Sequence, residues 1–292
     1  MTKKSKIKIA VASGKGGVGK SMLTSALSML FAKQKKVVAL DCDVDAPNLA
    51  IWLGEPENWQ KIIPISTSSK PVIDYKKCDG CGLCAKKCQF GAIKMAKKRP
   101  VINPFLCEGC GLCEMICPKK AIKLKPVQNG EIRVKKTKYG FWLVSGHLLP
   151  GETGSGKIVD KIKEEADRFN SDLIIIDSAP GTGCPVIAAI KDANFVLLVT
   201  EPTPSGIADL KKVLKIIQHF KIKYGIVINK WDINKDLSRT IQKWSGRTFL
   251  GKMSYDKEIF KAVSYLKPIM ETNLITKKEI EKIFQKLDKV IW

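Results

Sequence analysis

The sequence predicts an α/β protein built on a mostly parallel, doubly wound sheet and interrupted by a small inserted α+β module, and three observations carry that prediction. Five short runs rich in Val, Ile and Leu fall at residues 7–13, 37–41, 173–177, 195–200 and 225–229. Near-continuous apolar runs of this length suit strands covered on both faces. Stretches of helical texture follow several of them, at residues 20–33, 155–169, 207–220 and 236–244, and strands alternating with helices argue for a parallel sheet. Between the second and third runs lies a segment of loops and short elements that holds eight of the ten cysteines. It reads as a domain of residues 64–138 inserted into a host made of residues 1–63 and 139–292.

The totals set limits. A chain of 292 residues with 45% apolar content is long enough for one large domain or two ordinary ones with a real core. It has no run of about 18 apolar residues, so no transmembrane segment is expected. The basic N-terminus leads at once into a short apolar run without a cleavage site, so no secretion signal is expected either. Clustered cysteines point to metal ligation in a reducing compartment rather than to disulfides, which predicts a cytoplasmic protein.

The first apolar run opens into Gly14-Lys15-Gly16-Gly17-Val18-Gly19-Lys20-Ser21, which fits G-x4-G-K-S and stands between a strand and a helix. Its glycines let backbone N–H groups close around phosphate oxygens, and the helix N-terminus adds partial positive charge. Lys20 is placed to reach the terminal phosphates and the Ser21 hydroxyl to ligate Mg²⁺. The nucleotide-binding stretch is taken to run from Gly14 through Met22.

The cysteine-rich segment says nearly the same thing twice. Cys78, Cys81, Cys84 and Cys88 precede Gly91-Ala92-Ile93-Lys94; Cys107, Cys110, Cys113 and Cys117 precede Lys120-Ala121-Ile122-Lys123, 29 residues later. Eight thiols in two C-x2-C-x2-C-x3-C runs are enough for two [4Fe–4S] clusters. Zinc modules use separated cysteine pairs instead. A repeat of this kind folds as a pseudo-symmetric pair, each half completing the other. The segment resembles the bacterial two-cluster ferredoxins, which implies a ferredoxin-like insert in which the fourth cysteine of each run crosses over. By that resemblance Cys78, Cys81, Cys84 and Cys117 hold one cluster, and Cys107, Cys110, Cys113 and Cys88 the other. Pro118 follows Cys117 as the pattern asks, but Gln89 follows Cys88, which removes a φ restraint and adds a backbone donor near sulfur.

A second lysine in the phosphate loop, Lys15, gives the form Lys-Gly-Gly-x-Gly-Lys. It resembles the deviant Walker A motif of the superfamily of MinD, ParA, Mrp and the nitrogenase iron protein. The segments Asp41-Cys42-Asp43-Val-Asp-Ala-Pro-Asn48, Asp177-Ser-Ala-Pro-Gly181-Thr-Gly and Thr200-Glu-Pro-Thr-Pro-Ser-Gly206 follow in that superfamily's order. The likeness covers essentially everything outside the insert, and is nearest to Mrp-like ATPases and to relatives with an inserted ferredoxin domain. It implies a P-loop NTPase fold, ATP hydrolysis, and a homodimer or a dimer with a paralogous ATPase. Within it Lys15 would cross to the partner's nucleotide, Asp43 would orient the attacking water, Asp177 would hold the Mg²⁺ shell and Gly181 would offer its N–H to the γ-phosphate. Lys15, Lys20 and Asp43 are thus the catalytic candidates. Asp41, at a strand end, fits a loop cap as well. Asn229-Lys230-Trp231-Asp232 spells N-K-x-D, which reads guanine in G proteins, whereas an asparagine at this strand end contacts adenine in the family resembled; Asn229 and Lys230 are the base-side candidates, with ATP expected and GTP the alternative.

Several features read as structural. Gly151-Glu-Thr-Gly-Ser-Gly156-Lys157 fits G-x4-G-K, but Ile158 stands where a hydroxyl is needed, so it reads as a loop opening a helix. Cys42 and Cys184 read as small core residues. Ile280, Ile283, Phe284, Leu287 and Ile291 recur at helical spacing and are expected to pack on the sheet rather than on a membrane. The net charge of +23 is concentrated, with 18 Lys/Arg against 5 Asp/Glu in residues 61–140. No recognition-helix or aromatic-interleaved pattern accompanies it, so an acidic redox protein is the expected partner and nucleic acid is not. The sequence therefore predicts a dimerising ATPase whose nucleotide state gates electron transfer through two clusters. An Mrp-type cluster carrier and a ParA- or MinD-like positioning ATPase are the alternatives.

Overall fold

A computed structural model describes residues 6–292; the extreme N-terminus, where no secretion signal is expected, lies mostly outside the described residues. In chain order, β1 (Ile7–Ser13), α1 (Lys20–Ala32), β2 (Val37–Cys42), α2 (Leu49–Trp52) and β3 (Lys61–Ile65) come first. Next are β4 (Ser68–Ile73), α3 (Leu83–Lys87), β5 (Ile93–Ala96), β6 (Arg99–Ile102), α4 (Leu112–Met115), β7 (Ile122–Val127), β8 (Gly130–Lys136) and β9 (Trp142–Leu148). Then come α5 (Ser155–Ala166), β10 (Leu173–Pro180), α6 (Cys184–Ile190), β11 (Phe195–Thr200) and α7 (Pro204–His219). The chain ends with β12 (Lys223–Asn229), α8 (Lys235–Ser245), β13 (Phe249–Met253), α9 (Glu258–Ser264) and α10 (Ile275–Ile291). Two compact units result. One runs to Ile62 and resumes with Ile132–His147 and Ser155–Trp292; the other comprises Ile63–Glu131 and Leu148–Gly154.

The main sheet has nine strands in the order β13-β12-β11-β1-β10-β2-β9-β8-β3, and every pairing from β13 to β9 is parallel. The five apolar runs are its centre, β12 through β2. Ile9, Val11, Ile175 and Leu197 are fully buried there, each contributing about 2 kcal/mol by leaving water. Flanking strands are shorter or mix polar residues into the run, as in Trp-Leu-Val-Ser-Gly-His-Leu of β9, and their sequences carry no equally plain signal. Helix α10 lays Ile280, Ile283 and Leu287 into the core, with the Phe284 ring edge-on to Phe31 of α1 at 4.7 Å; the C-terminal stripe is a packing face. No helix among the described residues is long and apolar enough to cross a membrane. Strand β1 sits between β10 and β11, where the winding of the sheet changes direction, and such a point opens a crevice at the strand C-termini. The loop after β1 lies there.

The second unit is built from two antiparallel ladders, β4 with β7 and β5 with β6. Its core is small: Cys84, Ile93 and Ile122 are buried, with Ile73, Ile102, Cys88, Cys113 and Cys117 packed against them. The halves of the repeat lock reciprocally. The Asp74 N–H donates to the Ala121 carbonyl and the Asn103 N–H to the Ala92 carbonyl, both at 2.7 Å, and each partner pair is related by the same 29-residue offset. The β5–β6 turn is Lys97-Lys98 with both residues at positive φ, 45° and 63°. That conformation costs a non-glycine residue about 1 kcal/mol.

Candidate functional site

The first unit holds a pocket lined by Gly16, Gly17, Gly19, Lys20, Ser21, Met22, Asp43, Asn48, Asn229 and Lys230, with Trp52, Pro180 and residues 254–256, 259 and 260 completing it. Helix α1 begins at left-handed Gly19 with no side-chain cap, so its first N–H groups are left for an anion. Gly14 and Val18 shape the loop rather than line the pocket. A Cβ at Gly14 would come within 2.4 Å of the Asp209 backbone in α7, and the Val18 carbonyl accepts from Asn229 Nδ2 at 2.9 Å.

Three carboxylates gather behind the loop. Asp177 is fully buried; its Oδ1 accepts from the Thr24 hydroxyl at 3.0 Å, while its Oδ2 is buried without a partner. Burial pushes its carboxyl up to about 6, against the pull of Lys20 and the hydroxyls of Ser21 and Thr24. Burial also raises Asp43, partly offset by Lys20. Asp41 caps the loop after β2, accepting from the Leu49 N–H at 2.9 Å and the Asp43 N–H at 3.3 Å; burial and the neighbouring Asp177 raise it well above the carboxylate range. An orphaned carboxylate oxygen next to a serine hydroxyl offers the oxygen ligands that a hard cation takes.

Two of the expected site residues are engaged internally. Lys15 Nζ donates to Glu201 Oε1 at 2.8 Å, outside the pocket lining. Burial would raise the Glu201 carboxyl, but the Lys15 hydrogen bond and the Lys230 charge outweigh it and hold it below its ordinary value. Gly181, at φ 93°, donates its N–H to the Ser13 carbonyl at 2.9 Å. Of the residues expected to face the base, Lys230 donates from Nζ to the Gly17 carbonyl at 3.3 Å. Asp232 Oδ1 accepts from the Tyr255 N–H at 2.7 Å and is absent from the pocket lining.

Sequence reasoning missed the wall made by Trp52 and by residues 254–260, and missed Glu201 as the Lys15 partner. Cys42 is buried as expected, but Cys184 is exposed, which corrects the expectation of a core residue. It stands at the first position of α6, beside the open loop of Gly181–Gly183, so the helix face behind it buries Val186, Ala189 and Ile190 instead. The second G-x4-G-K match is a loop followed by the start of α5 at Ser155; in the loop, Lys70 Nζ meets Glu152 at 2.9 Å and Asn129 Nδ2 donates to the Thr153 carbonyl at 2.7 Å.

The second unit contains two cysteine-lined cavities. One is bounded by Cys78, Cys81, Cys84 and Cys117 together with Asp79, Pro100 and Pro118. The other is bounded by Cys107, Cys110, Cys113 and Cys88, and also by Cys84, Lys87, Gln89, Phe90 and Glu108. Among the described residues, no three or more His, Cys, Asp or Glu side chains gather as a set for a single metal ion. The Cys117 Sγ accepts the Ala121 N–H at 3.3 Å.

Comparison with known proteins places the first unit. Residues 9–269 match the CobQ/CobB/MinD/ParA nucleotide binding domain. An uncharacterized protein of Methanocaldococcus jannaschii is 36% identical over 98% of both chains. The iron-sulfur cluster carrier protein of Pyrococcus horikoshii is 25% identical over 87% of this chain and 76% of its own. Among solved structures, the septum site-determining protein MinD of Pyrococcus horikoshii, complexed with Mg-ADP, superposes with a TM-score of 0.61 at 17% identity, covering 98% of this chain and 97% of that one.

Proposed function

Because the chain belongs to the CobQ/CobB/MinD/ParA nucleotide-binding family, we propose that it is an Mg²⁺-dependent ATPase, dimeric when active, that carries two [4Fe–4S] clusters and uses nucleotide state to gate electron transfer to a protein partner. The observation that carries the cluster half is the membership of the two cavities: the fourth cysteine of each run lines the cavity of the other run. Thiols that line a void suit a cubane in which each of four thiolates binds a different iron, and Cys84 lies between the two cavities. When bound, the clusters supply one-electron storage.

On the nucleotide side, Ser21 and the orphaned Asp177 Oδ2 would hold Mg²⁺, and Lys20 with the free N–H groups of α1 would meet the charge spreading over the phosphates. Asp43 would hold the attacking water. Gly181 would have to give up its bond to Ser13 to reach a γ-phosphate, and Lys15 would have to leave Glu201 to clamp a partner's nucleotide. Both exchanges describe a switch. With Asp232 committed to the Tyr255 amide, guanine has no reader at the N-K-x-D position, which favours ATP over GTP.

A cargo role for the clusters is supported by the likeness to the Pyrococcus carrier, but Cys84, Cys88, Cys113 and Cys117 belong to the second unit's own core. Handing the clusters over would open that core, so resident clusters are favoured. The test is anaerobic purification with iron and sulfide counted, the visible spectrum followed with and without ATP and dithionite, and ATP turnover measured on the same sample. About eight irons per chain, with a reducible spectrum whose potential differs between ATP and ADP, is the expected outcome. Colourless, iron-poor protein would defeat the cluster half, and failure to retain ATP would defeat the ATPase half.

A further inference from the structure

We propose that the β5–β6 hairpin is a docking element for an acidic electron-carrying protein; this rests on the cluster reading above and names the surface and the chemistry of the partner. The hairpin covers the cavity bounded by Cys78, Cys81, Cys84 and Cys117. A Cβ at Gly80 would come within 2.3 Å of the Lys98 carbonyl oxygen, one at Gly82 lies 3.8 Å from Met95 Cγ, and Pro100 is part of the cavity wall. The ladder pairs Ile93 with Ile102, Lys94 with Val101, Met95 with Pro100 and Ala96 with Arg99. Alternation therefore puts Ile93, Met95, Pro100 and Ile102 on the face toward the cysteine loop, and Lys94, Ala96, Arg99 and Val101 on the face toward water. The tip adds Lys97 and Lys98.

Two features set this hairpin apart. A two-residue turn with both residues at positive φ normally takes Asn-Gly, yet here both positions are lysine. Strain of that kind persists where the surroundings demand the residue and is a pointer to function. Among the described residues the four cations also have no anionic partner, and four acidic groups of this unit are engaged elsewhere. Asp74 pairs with Lys77, Glu114 with Lys123 and Glu152 with Lys70, and Asp79 accepts from the Cys81 N–H. Beside them Val101 is 51% exposed, and Arg99 lies over the Tyr75 ring at 5.6 Å. An apolar spot ringed by unpaired cations, directly over a thiol cavity, complements an anionic protein surface with an exposed apolar centre. Nucleic acid fits less well, since the hairpin's own water-facing residues carry no ring and the neighbouring Tyr75 ring is already covered by Arg99.

The test replaces the strained turn by the sequence it prefers. Lys97→Asn with Lys98→Gly keeps the hairpin and removes two charges, so a loss of binding cannot be a loss of folding. Iron content is measured first, then association with an acidic flavodoxin by stopped flow across a range of ionic strength, with a short DNA duplex as competitor. The expected result is a wild-type association rate that falls with salt, and a double variant at least about tenfold slower at low salt with a flatter salt dependence. Iron content and melting temperature should not fall. Equal rates for the two proteins would overturn the proposal, as would a variant that loses DNA binding while keeping flavodoxin binding. Iron-free protein would instead overturn the cluster reading, and the flavodoxin comparison would still decide whether the hairpin docks an acidic protein.

Discussion

The two units solve the problem of stability in opposite ways. The first buries aliphatic side chains on both faces of a parallel sheet, and its central strands are apolar at nearly every position. The second has three buried residues in its apolar cluster, one of them a cysteine, and three more cysteines packed against it line the cavities. At this size a hydrophobic core alone rarely supplies more than about 3–5 kcal/mol, and metals or disulfides make up the difference. The comparison teaches that the first unit has an apolar core large enough to hold its shape, while the second has a small one; on the function proposed above, bound clusters would make up the difference.

The largest test of that contrast is iron removal. Chelation under reducing conditions should raise amide exchange throughout residues 63–131 toward that of an unfolded chain, and leave the core of the first unit protected and able to bind ATP. Cys88→Ser should do the same for one cluster and, through the reciprocal bonds of Ala92 and Ala121, loosen both halves. Unchanged exchange after full iron loss would break the comparison outright.

The converse perturbation follows. Lys20→Ala should lower ATP turnover at least about 100-fold, as removal of a principal charge-stabilising group does, while the iron count per chain stays at the wild-type value. A drop in iron content in step with turnover would mean that the units are not independently assembled.

The same contrast explains what could be read from the sequence. Strands β1, β2, β10, β11 and β12 were legible because two covered faces leave almost no room for polar residues. Strands β8, β9 and β13 were not, since Arg133 in the first, Ser145 and Gly146 in the second and Lys252 in the third interrupt their runs. With β13 unread, the loop after it went unplaced, and with it Tyr255, Ile259 and Phe260 in the pocket wall; a parallel strand's C-terminal end is where ligand-binding loops cluster. The phosphate loop was legible because its chemistry fixes both residue types and spacing. Glu201 was not, because nothing in Thr200-Glu-Pro says that its carboxylate reaches back to Lys15. Cys184 was misread because a lone thiol beside apolar residues looks like core until the helix that carries it is seen to turn that position outward.

A smaller effect probes how the first unit handles charge near its core. Lys163 is mostly buried, donates to the Ala188 carbonyl at 2.6 Å and meets Asp192, which also accepts from Lys8 at 2.8 Å. Burial would raise the Asp192 carboxyl, but Lys163 and Lys8 hold it below its ordinary value of 3.8. A depressed carboxyl contributes stability above its unfolded value and loses it as pH falls through the folded one. Asp192→Asn should cost about 2 kcal/mol at neutral pH, by leaving the Lys163 ammonium poorly matched, and the gap from wild type should close below pH 3.8. A gap that stays constant with pH would assign the cost to packing instead.

The smallest effect compares the two halves of the second unit with each other. Gly91 and Lys120 are equivalent positions of the repeat, and both are left-handed, at φ 61° and 48°. Nothing lies within 4 Å of a Cβ placed on Gly91, so Gly91→Ala changes only backbone conformational energy and should cost about 1 kcal/mol. Lys120→Gly relieves the same strain but adds freedom to the unfolded chain, and the two nearly cancel, leaving a gain of about 0.5 kcal/mol. Measured by denaturation of the iron-loaded protein, opposite signs of these sizes would show that the halves fold as one pseudo-symmetric pair. If Lys120→Gly instead destabilised, the lysine side chain would be contributing an interaction of its own, and the repeat would be less symmetric in energy than in backbone.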